Sequence, residues 1–142
     1  MTAFRERCGR EAAVVRSPGR VNLIGEHTDH NLGFVLPAAV DKAIHLALRL
    51  RDDRRINLFA LDKGEAFEGS LDRLEPSGLQ WPDYLLGIYR ELQDLGLDLR
   101  GVDCAFGGDV PIGCGMSSSA ALEAGFAFAL NELLGAGLDR VA

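Results

Sequence analysis

Cysteine is scarce in this chain, basic runs are missing and no long apolar segment occurs. Its three cysteines, Cys8, Cys104 and Cys114, are odd in number and show no C-x-x-C spacing, so neither a disulfide framework nor a zinc site is suggested. A reducing cytosol fits that usage, and a cytoplasmic location is expected. Lys and Arg nowhere cluster into a patch and the formal net charge is −6, which removes nucleic acid from the expected partners. An anionic ligand would then have to be held by local dipoles, a metal or a few placed cations. The longest near-apolar stretch, Ala124 to Leu130, is far too short to cross a bilayer. "MTAFRERCGREAAVVR" carries charges where a signal peptide needs its apolar core, so no membrane partner is expected either.

What remains is an ordinary globular composition. With 142 residues, 47% hydrophobic and 25% charged, the chain can build one domain with its own core, and 1–142 is read as a single unit. "AIHLALRLR" from Ala43 alternates, with Ile44, Leu46, Leu48 and Leu50 on one face, the period of a half-buried strand. "INLFALD" reads as a second strand, and the polar "RDDRR" between them predicts an antiparallel hairpin. "EAAVVR" and "RVNLIG" read as two short strands broken by the turn residues Ser17, Pro18 and Gly19. Trp81, Leu85, Ile88, Leu92 and Leu95 fall on one helical face that Gly96 closes. "VDCAF" is a further strand, and Ser117 to Leu134 predicts a mostly buried helix ending at Gly135. The fold class expected is α+β.

Two stretches could carry chemistry. In "GGDVPIGCGMSSSAALEAG", Gly113 and Gly115 let the backbone approach a ligand, and Ser117, Ser118 and Ser119 stand where the helix begins. Helix N–H groups, the helix dipole and serine hydroxyls would converge there, as a phosphate requires. The loop is neither a Walker A motif, having no Lys, nor a dinucleotide fingerprint, since Ser118 takes the third glycine position. Serines that merely cap the helix are the plainer alternative.

In "GRVNLIGEHTDHN", Glu26, His27, Thr28 and Asp29 crowd a loop after a strand, with Arg20 at the strand's other end. A turn in which Thr28 and Asp29 bond their own backbone is one reading, and a metal site would need the loop to bend sharply. Carboxylates beside an imidazole also suit the hydroxyls of a sugar, since each acceptor can fix one O–H donor.

"GRVNLIGEHTDHNLGFVLP" resembles the signature of the galactokinases, and "PIGCGMSSSAALE" resembles the phosphate-binding motif of the GHMP kinase superfamily that contains them. "WPDYLLGI" between them is similar to that family's Trp-x-x-Tyr-x-x-Gly helix, so the likeness runs from about Ser17 to about Leu134. The resemblance implies a GHMP kinase N-terminal domain, related to the second domain of ribosomal protein S5. It implies transfer of a phosphoryl group from Mg-ATP to the anomeric hydroxyl of galactose, giving galactose 1-phosphate. Glu26, His27, Thr28 and Asp29 would bind the sugar and Arg20 would steady the reacting groups. Gly113, Cys114, Gly115, Met116, Ser117, Ser118 and Ser119 would wrap ATP, with Ser119 also on Mg²⁺. An Arg, a metal and a dipole-rich loop are the parts that phosphoryl transfer needs.

Departures from the family pattern bear on specificity and completeness. His30 replaces a usual Tyr and Leu32 a Gly or polar residue, which leaves open a kinase for an N-acetylhexosamine or a uronic acid. A sugar- and ATP-binding sensor is the other alternative; by resemblance such sensors lack two residues after the serines, and Ala120 and Ala121 are present here. The family's catalytic Asp, its metal-binding Glu and a C-terminal domain would all fall beyond Ala142. The chain is therefore expected to be a truncated N-terminal part, inactive alone and associating through apolar residues such as Phe126 and Phe128, whereas a full-length parent would be a monomer.

Overall fold

The computed structural model describes residues 12–25, 32–111 and 115–139. Among the described residues, five strands and two helices follow one another as β1 (Ala13–Ile24), β2 (Leu36–Leu50), β3 (Arg55–Ala60), β4 (Glu65–Ser70), α1 (Gln80–Asp94), β5 (Val102–Gly108) and α2 (Ser118–Leu134). The strands form one sheet in the order β1-β2-β5-β3-β4, with only β3 and β5 parallel. This is the expected α+β class.

The pairing differs from the predicted β2–β3 hairpin, because β5 lies between those strands. Leu48 of β2 and Leu58 of β3 both face Cys104 of β5. Val102 to Phe106 are all buried, and a strand covered on both faces belongs at the middle of a sheet. The polar connection accordingly spans the end of β5: Arg51 N–H donates to the Gly101 carbonyl at 2.8 Å and Gly101 N–H to that of Asp53 at 3.0 Å.

The two short strands predicted on either side of Ser17-Pro18-Gly19 are one strand. β1 is an edge strand, where a proline need not supply a ladder hydrogen bond, and a register shift between Pro18 and Arg20 absorbs the irregularity. Strand β4 was not foreseen.

Both helices match their predicted spans to within a residue or two, and Gly96 (φ 78°) and Gly135 (φ 61°) close them in the left-handed conformation. They pack on one face of the sheet, where Leu46, Leu48, Ile56, Leu58, Val102 and Cys104 meet Leu85, Tyr89, Phe126 and Leu130. Each such large side chain contributes roughly 1.5–3 kcal/mol by leaving water. Phe126, expected to be exposed, lies edge-to-face on Tyr89 with centroids 5.6 Å apart; Phe128 is 44% exposed. Helix packing covers the first and not the second.

Close approach of α2 to the sheet depends on Gly125: a Cβ there would stand 2.6 Å from Leu46 Cδ1 and 2.8 Å from Ser17 Cβ. On the opposite face of the sheet Asp103 is buried and accepts from Arg51 Nη1 at 2.7 Å, from Asn57 Nδ2 at 2.7 Å and from Arg49. Burial pushes the Asp103 carboxyl up, but these three donors together outweigh it and hold it below its ordinary value.

Candidate active site

The loop from β5 to α2 is tied down at both ends. At its start Asp109 accepts from Ala43 N–H at 2.9 Å and from Lys42 at 3.0 Å. At its end Gly115 (φ 73°) and Ser117 (φ 54°) turn the chain into α2. Ser117 is the residue before the helix, in a left-handed conformation that is uncommon for a side-chain-bearing residue. Its side chain makes no capping hydrogen bond.

Instead its Oγ accepts from Arg20 Nη1 at 2.6 Å, across 97 positions of sequence. Arg20 N–H also donates to the Met116 carbonyl at 3.2 Å. The approach is close because Gly19 has no side chain: a Cβ would lie 2.9 Å from the same Met116 oxygen. β1 and the glycine- and serine-rich loop are thus bound together, and the guanidinium lies against the first turn of α2, where the helix dipole favours negative charge. The simple capping alternative for Ser117 is not what the geometry shows.

Ser118 and Ser119 open onto a cavity of about 420 Å³ whose apolar wall includes Trp81, Tyr84, Phe106 and Leu122. Asp62 and Lys63, from the turn between β3 and β4, stand at its polar margin. Asp62 Oδ2 accepts from Gly108 N–H at 2.7 Å, which seats that turn against the end of β5. A pocket with an aromatic wall at one side and a helix N-terminus with hydroxyls at the other can take a molecule with a flat ring and phosphates.

Of the residues singled out from sequence, the structure brings Arg20, Gly115, Met116, Ser117, Ser118 and Ser119 into one region. Glu26, His27, Thr28, Asp29, Gly113 and Cys114 lie outside the described residues. Sequence reasoning did not single out Asp62 and Lys63, because a charged turn between strands looks the same whether it faces solvent or a cavity. Trp81 was read on a helix face, and Trp81 and Tyr84 together in the likeness to the family's Trp-x-x-Tyr-x-x-Gly helix, but neither as the wall of a cavity.

The family descriptions that match are the galactokinase galactose-binding signature over residues 2–50 and the N-terminal domain of GHMP kinases over residues 83–142. The first contains Arg20 and Glu26 to Asp29, the second Tyr84 and the three serines. A galactokinase of Roseiflexus sp. (strain RS-1) is 46% identical over 120 residues, covering 84% of this chain and 31% of the relative. A galactokinase of Chloroflexus aggregans is also 46% identical over 120 residues, covering 82% of this chain and 31% of the relative. The chain therefore spans about a third of the length of the curated relatives it matches.

Among solved structures, Lactococcus lactis galactokinase complexed with galactose superimposes with a TM-score of 0.91 at 34% identity, over 99% of this chain and 38% of that one. Methanococcus jannaschii mevalonate kinase shares the fold with a TM-score of 0.77 at 22% identity, over 91% of this chain and 42% of that one. By its two matched segments and its fold, the chain belongs to the GHMP kinase family and resembles the N-terminal third of the galactokinases.

Proposed function

We propose that this chain carries the sugar-binding and nucleotide-binding parts of a galactokinase, which transfers the γ-phosphoryl group of ATP to the anomeric hydroxyl of galactose. The observation that carries the reading is the hydrogen bond from Arg20 to Ser117, which couples the strand of the galactose signature to the loop of the kinase motif. In that reading adenine lies against Trp81, Tyr84 and Phe106, and the phosphates reach the first turn of α2 at Ser118 and Ser119. Arg20 bears on the transferred group, where a fixed cation stabilises charge spread over the phosphoryl oxygens. Glu26, His27, Thr28 and Asp29 accept hydrogen bonds from galactose hydroxyls.

As the sugar oxygen bonds to the γ-phosphorus, its bond to the ADP oxygen breaks and the hydroxyl proton passes to a base. The resemblance assigns that base to an Asp of a later motif of the family. Mg²⁺, when bound with ATP, would neutralise phosphate charge. Among the described residues no group of three or more His, Cys, Asp or Glu could hold a metal. The Ser119 hydroxyl fits an ion held mainly by phosphate oxygens and water, with one protein ligand. We place the protein in the cytoplasm because its few cysteines, with no paired spacing, fit a reducing compartment; separately, no helix among the described residues is long and apolar enough to cross a membrane.

The test is a substrate panel. A polypeptide continuing through the family's later motifs is assayed with galactose, glucose and N-acetylgalactosamine. Galactose is expected to turn over fastest, and equal or faster turnover of either other sugar would overturn the assignment.

A further inference from the structure

Trp81 Nε1–H donates to Glu65 Oε2 at 2.6 Å. Glu65 is the first residue of β4 and follows directly on the turn that carries Asp62 and Lys63. The indole is 6% exposed and meets Phe106 edge-to-face, with centroids 5.5 Å apart and planes at 61°. An indole nitrogen is a donor only, so the carboxylate both satisfies a nearly buried N–H and fixes the rotation of the ring. Glu65 itself is not among the residues that line the cavity.

We propose that Glu65 is a positioning residue of the nucleotide cavity, holding Trp81 so that the aromatic wall is in place before the base arrives. The proposal rests on the reading that this cavity takes a nucleotide. Because the N–H is spent on Glu65, Trp81 offers a ligand only its ring, which suits stacking and leaves polar selection to other groups. The side chain at position 65 therefore needs an acceptor rather than a charge. Gln should serve nearly as well as Glu, whereas Leu, of similar size, should not.

Trp81 is the single tryptophan of the chain, so intrinsic fluorescence reports this ring alone. The 142-residue chain and its E65Q and E65L variants are compared by acrylamide quenching and by titration with Mg-ATP and with galactose. The parent and E65Q are expected to share quenching behaviour and ATP affinity. E65L should be quenched more readily and bind Mg-ATP about tenfold more weakly, as loss of the one hydrogen bond that orients the ring implies, with galactose affinity unchanged. To separate positioning from general damage, E65L is also made in a W81F background, where calorimetry should find no further loss of ATP affinity. Normal ATP binding by E65L, equal losses for ATP and galactose, or additive losses in the double variant would each overturn the proposal alone. Failure of the unaltered chain to bind Mg-ATP would overturn the nucleotide reading and the proposal with it.

Discussion

At the scale of single residues, polar groups do two separate jobs here, and measurement can tell them apart. Ser119 lines the cavity while the residue before the helix is Ser117, so Ser119 has little capping to do. Ser119→Ala is expected to leave the melting temperature of the ligand-free chain nearly unchanged and to reduce the upward shift given by Mg-ATP. A cap would do the reverse, costing about 0.5–2 kcal/mol with or without nucleotide. Asp103 works for stability. Its folded pKa lies below the unfolded one, so its contribution is complete above the unfolded carboxylate pKa of about 3.9. That contribution is lost as pH falls through the folded value. Asp103→Asn should lower stability at neutral pH by roughly 1.5–3 kcal/mol, and urea midpoints at pH 7 and pH 3 should show the gap from the parent narrowing in acid. A gap of constant size would mean that the ion pairs at Arg49 and Arg51 are not its source. The residue types at Arg20 and Ser117 were readable as chemistry, but their contact was not, since nothing local connects positions 97 apart. Glu65 was unreadable for a similar reason: its value lies in an indole that arrives 16 positions later.

At the scale of elements, legibility follows how local the forces are. α1 and α2 showed in the sequence because apolar spacing and a closing glycine are written within each segment. Strand existence was mostly readable too, while strand partnership was not: β2 and β3 are neighbours in sequence yet both pair with β5. The middle place of "VDCAF" in the sheet was hidden by its Asp, a residue type ordinarily found at the surface, which three donors here make a buried one. Pro18 and Gly19 misled because turn chemistry and edge-strand tolerance use the same residues. Gly125 is an element-level constraint of this kind. Gly125→Ala would raise helix propensity by about 1 kcal/mol, but its Cβ would press on Leu46 and Ser17, and overpacking costs about 1–3 kcal/mol. A net loss of about 1 kcal/mol in urea unfolding, with unchanged m, is expected, and a gain would show that α2 can lift away from β1 without penalty.

At the scale of the whole molecule, the proposed roles of the residues and the exposed apolar side chains are tested together. Leu23, Ile24, Leu32 and Leu36 are each more than half exposed near the connection between β1 and β2, and clustered apolar surface favours association. The 142-residue chain alone is expected to show no galactose-dependent ATP consumption and to elute larger than a monomer as its concentration rises. Turnover within about tenfold of a full-length galactokinase, from a monodisperse monomer, would mean that Asp41 or another carboxylate here acts as the base. The sheet order has a consequence for birth on the ribosome. Strands β2 and β3 are complete by Ala60, but the strand that belongs between them ends only at Gly108. At about 5–20 residues per second, synthesis leaves those two apolar edges adjacent and unpaired for seconds. A transient β2–β3 hairpin is the nearest escape, and it must open again to admit β5. Any chain that takes that pairing is held out of the finished sheet until the hairpin opens.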